Sequence, residues 1–194
     1  YPFVPYIDEF DFIADIERII SGNHITDLNN DEPINHINLP KHTDLAILGS
    51  LLIVIMFAHE SLLDNTGNFV ITENTTDTEK YLATYKHSQY LIPFSELCMN
   101  EFKLLKRCQL SVLQCAILLR EYQRVDGCDC FADGDSHIYT GLLIQMATTI
   151  GLNRDPEFVE YDTVHARKSV LLRKIWYGLV SADNHQYMQT GAPP

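Results

Sequence analysis

Residues 108–125 read CQLSVLQCAILLREYQRV, and this stretch decides the fold class. Leu110, Val112, Leu113, Cys115, Ala116, Ile117, Leu118 and Leu119 leave almost no side of a helix polar. A helix that is apolar nearly all round has to be surrounded by other helices. A second block, Leu45 to Ala58, is almost unbroken apolar until His59 and Glu60 interrupt it. A spanning helix needs about 20 apolar residues, so this block is read as a core helix running from near Lys41 to about Leu63. No membrane span is expected.

The flanking segments follow the same helical period. Asp8 to Ile20 sets Phe12, Ile13, Ile16, Ile19 and Ile20 on one face, and Ser21-Gly22-Asn23 closes it. Residues 22–40, with Asn29, Asn30, Asp31, Pro33 and Pro40, predict an irregular linker, and the Asn- and Thr-rich residues 64–78 predict a loop. A helix from about Glu79 to Tyr90 comes next, and another opens near Pro93 and runs through Leu97, Phe102 and Leu105. The acidic, glycine-containing residues 126–135 form a loop, with Asp135 or Ser136 expected as the N-cap of a helix carrying Tyr139, Leu142, Leu143, Met146 and Ile150 on one face. Gly151 stands where a left-handed C-terminal residue belongs, and Asn153-Arg154-Asp155-Pro156 makes a turn. The last helix starts near Thr163 and shows Leu171, Leu172, Ile175, Trp176, Leu179 and Val180 at core spacing, with Trp176 at the centre. No alternating strand pattern of useful length appears. The expected fold is all-α, a multi-helix array of packed helical hairpins, with residues 1–194 a single domain or part of a larger one.

Composition narrows the function. Hydrophobic residues make up 46% of the chain, enough apolar surface to offset chain entropy, so a disordered segment is excluded. The formal charge is −12, from 26 acidic against 14 basic residues. Binding phosphates needs a basic face, so these residues are not expected to touch nucleic acid themselves. The densest basic group, Arg167, Lys168, Arg173 and Lys174, reads as a solvated helix face. The five cysteines (Cys98, Cys108, Cys115, Cys128, Cys130) are an odd set without the spacing of a disulfide scaffold, which points to free thiols in a reducing compartment. The chain opens Tyr1-Pro2-Phe3 without an initiator Met and stops at Ala192-Pro193-Pro194, so both ends read as cut from something longer.

Catalytic motifs are missing from the sequence. It has no phosphate-binding loop, dinucleotide fingerprint, nucleophile elbow or zinc-protease helix, and an enzyme is not expected. For metal, Cys128 and Cys130 with His137, Asp129 and Asp133 put soft and hard ligands within one stretch. Structural zinc sites space their cysteines by two to four residues and need four ligands, so the polar solvated loop is the preferred reading and no metal is expected there. Haem-regulatory motifs set Cys directly before Pro, and none of the five cysteines precedes Pro. Asp183 continues the apolar stripe of the last helix, so its carboxylate is expected to point inward and to need a cation, with Arg154 or Arg173 as partner.

Ordered landmarks then line up from Leu110 to Pro193. They are Leu113-Gln114 with Leu118-Leu119, then Asp133-Gly134-Asp135-Ser136 leading to Gly141, and Gln145-Met146-Ala147. Gly151-Leu152-Asn153-Arg154-Asp155-Pro156 and Arg173-Lys174-Ile175-Trp176-Tyr177 follow, then Asp183, with Gly191-Ala192-Pro193 eight to ten residues later. In order and spacing this stretch resembles the middle homology region of fungal binuclear zinc-cluster transcription factors. The resemblance covers about the last 85 residues well and the first 110 loosely, through Leu39-Pro40 and the apolar helix after it. The Gly151–Pro156 and Asp133–Ser136 wording is similar to the branch that includes haem-responsive activators. Two departures stand out: Leu172 replaces the first of three basic residues, and Ala192 replaces an Arg between the closing Gly and Pro.

The resemblance implies a regulatory, metabolite-sensing domain of a nuclear transcription factor that controls RNA polymerase II transcription. Gly151, Arg154, Asp155, Trp176, Asp183, Gly191 and Pro193 are its structural motif residues. The family's six-cysteine zinc cluster lies N-terminal to this region and is absent from the chain, so DNA contact and zinc belong to that module. No cofactor is expected within residues 1–194. Expected partners are a small hydrophobic ligand, transcriptional co-regulators and a second copy in a homodimer. Two alternatives remain at this level: a purely structural spacer without a ligand, and a helical enzyme whose site lies outside these residues.

Overall fold

The computed structural model describes residues 6–20, 37–62, 76–84, 90–102, 108–125, 133–157 and 166–191. They form helices α1 (Glu9–Ile19), α2 (Asp44–Glu60), α3 (Asp77–Thr84), α4 (Leu91–Asn100), α5 (Leu110–Val125), α6 (Asp133–Ile150) and α7 (Ala166–Thr190). There is no strand among the described residues. The all-α expectation holds.

The two apolar runs lie at the centre, as their all-round hydrophobicity requires. α2 packs against α1, α4 and α5, α5 packs in turn on α4 and α6, and α6 packs on α7. Val112, Leu113, Ala116 and Leu118 of α5 are fully enclosed, with Ile53 and Met56 of α2, Met99 of α4, Leu143 and Met146 of α6 and Ile175 of α7 around them. No helix among the described residues is long and apolar enough to cross a membrane.

α2 and α5 approach closely because small residues meet there. Gly49 of α2 faces Cys115 of α5 and Ser95 and Cys98 of α4; a Cβ at Gly49 would lie 3.0 Å from the Cys115 Sγ and 3.3 Å from the Ser95 Oγ. Ser95 donates to the Gly49 carbonyl at 3.2 Å, and Ser50 returns its hydroxyl to the Ala46 carbonyl at 2.9 Å, so both buried hydroxyls are satisfied.

α6 and α7 form an antiparallel hairpin. The Thr140 hydroxyl, early in α6, donates to Gln186 Oε1, late in α7, at 2.7 Å, and both residues are buried. The α6 end is a Schellman cap. Leu152 N–H bonds the Ala147 carbonyl at 2.9 Å, Gly151 N–H bonds the Thr148 carbonyl at 3.0 Å, and Gly151 takes φ of 90°. Gly191 closes α7 with φ of 68° and one bond from its N–H to the Tyr187 carbonyl.

Several boundaries differ from the sequence reading. α3 begins at Asp77 rather than Glu79, inside the predicted 64–78 loop, because Thr76 and Glu79 cap it reciprocally: Thr76 N–H reaches Glu79 Oε2 at 2.7 Å and Glu79 N–H reaches Thr76 Oγ1 at 3.3 Å. α6 begins at Asp133, so Asp135 and Ser136 lie in its first turn instead of capping it. Within the predicted linker only residues 37–40 are described, and they are non-helical; residues 64–75 lie outside the described residues.

Candidate functional site

α1 is a weakly buried helix held by charge. Asp8 caps it, accepting from Phe10 N–H at 3.1 Å and Asp11 N–H at 3.2 Å. Its period does place a side toward the protein, yet Ile19 is its only fully buried residue, while Phe10 and Ile13 are exposed. The grip comes from Arg18, whose Nη1 and Nη2 donate to the two carboxylate oxygens of Asp44 at 2.9 and 2.8 Å. Nη2 also reaches Asp15 at 2.9 Å, and Lys41 N–H donates to Asp44 at 2.9 Å. The Asp44 side chain is fully buried. A buried carboxylate stays ionised only with such partners, and the hydrogen bonds from Arg18 hold its pKa below the usual carboxylate range. At the other end of α1 the Arg167 guanidinium lies over the Phe10 ring, 4.7 Å from its centroid, and 4.0 Å from Asp8.

Beneath this latched helix lies a half-open cleft of about 350 Å³. Phe12 of α1, Ile47 of α2, Leu110 of α5 and Leu171 of α7 give it an apolar floor. Asp11, Lys41 and Lys168 stand among its polar walls, and Ser111 and Gln114 of α5 close the inner side. Gln114 also donates to the Tyr6 carbonyl at 2.7 Å, tying the segment before α1 to the central helix. The cleft thus touches four helices, and one of its walls is attached mainly through ion pairs.

The motif residues read from sequence separate in space and role. Asp155 pairs with Arg173, accepting from Nε at 3.1 Å and Nη2 at 2.7 Å, and Glu157 joins the same guanidinium at 2.6 Å. These bonds lower the pKa of Asp155 and raise that of Arg173. The expected Asp183 pairing is corrected by this clamp. Arg173 is turned to the 155–157 turn, Arg154 is exposed, and no ion pair joins Asp183 to a described residue. Asp183 itself is half-buried. Trp176 is also half-buried at the edge of the core; Leu171, Ile175 and Leu179, one turn apart, form the enclosed face instead. Gly151 and Gly191 fill the left-handed positions described above, and Pro193 lies outside the described residues.

Cys128, Cys130 and the His137 side chain also lie outside the described residues. Among the described residues no three His, Cys, Asp or Glu side chains are placed to share a metal ion. Cys98 and Cys115 are free thiols in the core, and burial pushes Cys115 up to about 12.

Residues 24–194 match the family described as fungal specific transcription factor domain. The chain belongs to that family. Two curated relatives of this fungal transcription factor family are similar along nearly the whole chain. Multidrug resistance regulator 1 of Candida albicans is 32% identical over 204 residues, covering 100% of this chain and 18% of the relative. Multidrug resistance regulator 2 of Candida albicans is 27% identical over 187 residues, covering 94% of this chain and 22% of the relative. The chain therefore spans about a fifth of the length of these relatives. Neither name carries the haem-responsive branch suggested by the Gly151–Pro156 wording. No solved structure matches the chain. The domain is a regulatory domain of a transcription factor, and α1 lies ahead of the family match while its anchor Asp44 lies within it.

Arg18, Asp44 and the cleft were not found from sequence. Asp44 opens an apolar run, where a carboxylate reads simply as a helix first-turn acid. Nothing local marks it as buried or names a cation 26 residues away as its partner.

Proposed function

We propose that these residues are the ligand-responsive regulatory domain of a nuclear transcription factor that controls drug-resistance genes, with α1 as the element that moves. One observation carries this reading: a helix that buries a single residue is latched by Arg18–Asp44 over a cleft with an apolar floor. A molecule that binds more tightly when α1 is shifted would move the population toward that state. The relatives' names supply the drug-resistance role. The intact protein contacts DNA through a zinc-holding module outside residues 1–194, a reading supported by the net charge of −12 and by relatives about five times as long. Co-regulators are the expected partners of the moving state, and no catalysis is assigned to the domain.

The test uses the intact transcription factor and a reporter under a promoter it controls. Asp44→Asn, which loosens the latch, should change reporter output several-fold without inducer, while promoter occupancy and protein level stay constant. The swapped pair Arg18→Asp with Asp44→Arg should bring output back toward the starting value. Unchanged output in Asp44→Asn would favour a spacer without sensing and overturn the proposal.

A further inference from the structure

We infer that the outer face of α1 docks a co-activator through an apolar, helix-binding groove that the partner rims with lysine and arginine. The inference rests on the ligand-responsive reading above and names the partner that the moving helix serves.

Residues 8–19 read DEFDFIADIERI, an interleaving of acids and apolar side chains. That composition is the mark of acidic activation segments, and such a segment binds by laying a helix face into a groove. Here the segment is already helical, and the face it turns to water is not a polar one. Phe10, Ile13, Ala14 and Glu17 recur at the spacing of one helical stripe, and all four are exposed, Phe10 at 68% and Ile13 at 46%. The apolar surface continues onto α7. Arg167 lies over the Phe10 ring, and Val170, about one turn further along α7, is exposed and lines an open apolar groove with Tyr6 and the exposed Tyr177. Phe10 and Tyr177 alone leave on the order of 250 Å² of side chain in water. With Ile13 and Val170 the patch reaches the several-hundred-Å² size that marks an interaction site.

Charge selects the partner. The carboxylates on α1 and its cap, or paired with it, are Asp8, Glu9, Asp11, Asp15, Glu17 and Asp44. The cations on α1, paired with it or sharing its cleft are Arg18, Lys41, Arg167 and Lys168. With every one of these cations counted, the balance is two negative charges. Glu9 and Glu17 make no ion pair with a described residue, and both are exposed, one next to Phe10 and the other at the far end of the stripe. Arg167 already makes the contact expected of the partner: it stacks 4.7 Å from the Phe10 centroid and stands 4.0 Å from Asp8. Nucleic acid and anionic membrane surfaces carry the same sign as this face and are disfavoured. Because the face travels with α1, a shift of the helix at the Arg18–Asp44 latch changes how the co-activator is held.

The test uses the intact factor and the reporter described above. Phe10→Ala with Ile13→Ala should lower induced output several-fold, and so should Glu9→Lys with Glu17→Lys, while promoter occupancy and protein level stay constant. Glu9→Asp with Glu17→Asp should keep the output. Phe94→Ala with Leu97→Ala, which trims an exposed apolar face of α4 instead, should leave it unchanged. With the purified protein, a helical peptide of leucine and lysine should bind and its leucine–glutamate counterpart should not. Phe10→Ala with Ile13→Ala should weaken the first about tenfold with the same circular dichroism spectrum. Leucine–lysine binding that the α1 pair leaves unchanged, or that the leucine–glutamate peptide equals, would overturn the basic-groove assignment. Equal losses from the α1 and α4 pairs, or output that falls only together with promoter occupancy or protein level, would overturn the docking face. Altered output in Asp44→Asn with full output in the α1 pair would sink this inference and leave the ligand-responsive reading standing. The reverse pattern would sink that reading and leave the docking face.

Discussion

Arg18 closes a two-oxygen fork on Asp44, at 2.9 and 2.8 Å, from a helix that otherwise has little hold on the protein. The two ends of this contact differ: the carboxylate is fully buried, and the guanidinium side chain is a third exposed. Removing Asp44 leaves Arg18 free to hydrate, whereas removing Arg18 leaves a buried charge behind. Asp44→Ala should therefore cost on the order of 2 kcal/mol, the scale of lost charge-assisted hydrogen bonds, and Arg18→Ala more. Urea unfolding of both variants checks the order; equal losses would show that burial of Asp44 does not set the cost.

The same latch fixes an acid limb. The Asp44 pKa is lowered in the folded state, so its contribution is complete above the ordinary carboxylate pKa and is lost as pH falls through the lower folded value. Asp155 and Glu79 act in the same direction, through Arg173 and through the Thr76 N–H. The contribution of these three carboxylates should be level from neutral pH down to about pH 4 and fall below it. In Asp44→Asn the fall should be shallower, measured as unfolding free energy against pH. An unchanged slope would show that Asp44 keeps an ordinary pKa.

At the crossing of α2 and α5, Gly49→Ala should destabilise by about 1–3 kcal/mol, because its Cβ would press on the Cys115 sulfur and Ser95 oxygen. Adding Cys115→Ala removes the sulfur and makes room. The double variant should be no less stable than Cys115→Ala alone within about 1 kcal/mol, a coupling read by a double-mutant cycle. Additive losses would mean that backbone separation, rather than side-chain crowding, sets the cost.

Two glycines with equally open surroundings should respond oppositely. A Cβ at Gly151 or Gly141 would meet nothing within 4 Å, but Gly151 alone of the two has a positive φ, of 90°. Gly151→Ala should cost about 1–2 kcal/mol in the left-handed cap. Gly141→Ala, inside α6, should gain up to about 1 kcal/mol from helix propensity. Melting temperatures that move in the same direction for both would contradict the cap assignment.

The buried thiol gives an alkaline signature. Burial raises Cys115 to about 12, so the folded state favours its neutral form and that contribution is full below about pH 9, then lost as pH rises toward 12. Iodoacetamide at pH 8 should label the half-exposed Cys108 well before Cys115, as peptide mass mapping would show. Equal rates would place Cys115 near the surface.

By itself the sequence determined the all-helical class, the two central helices and the left-handed glycine that ends α6. Each rests on short-range physics: an apolar run with no polar face has to be surrounded, and φ near 90° excludes most side chains at Gly151. The family was legible too, in the order and spacing of landmarks from Leu113-Gln114 to Gly191. The Thr76-Asp77-Thr78-Glu79 capping box was also present in the letters, but the surrounding Asn- and Thr-rich composition outweighed it. What tertiary structure decided is which charges meet. Arg173 could reach several carboxylates by sequence, and only the path of the turn at 155–157 gave it Asp155 and Glu157 in place of Asp183. A helical period gives the direction of a face and not how deeply it sinks, so Trp176 lies at the rim while Ile175 beside it is enclosed. Asp44 and Arg18 are 26 residues apart, and the cleft they guard exists only where four helices fail to fill the space between them. Ion-pair choice and empty volume are properties of packing, set by long-range contacts that no local pattern records.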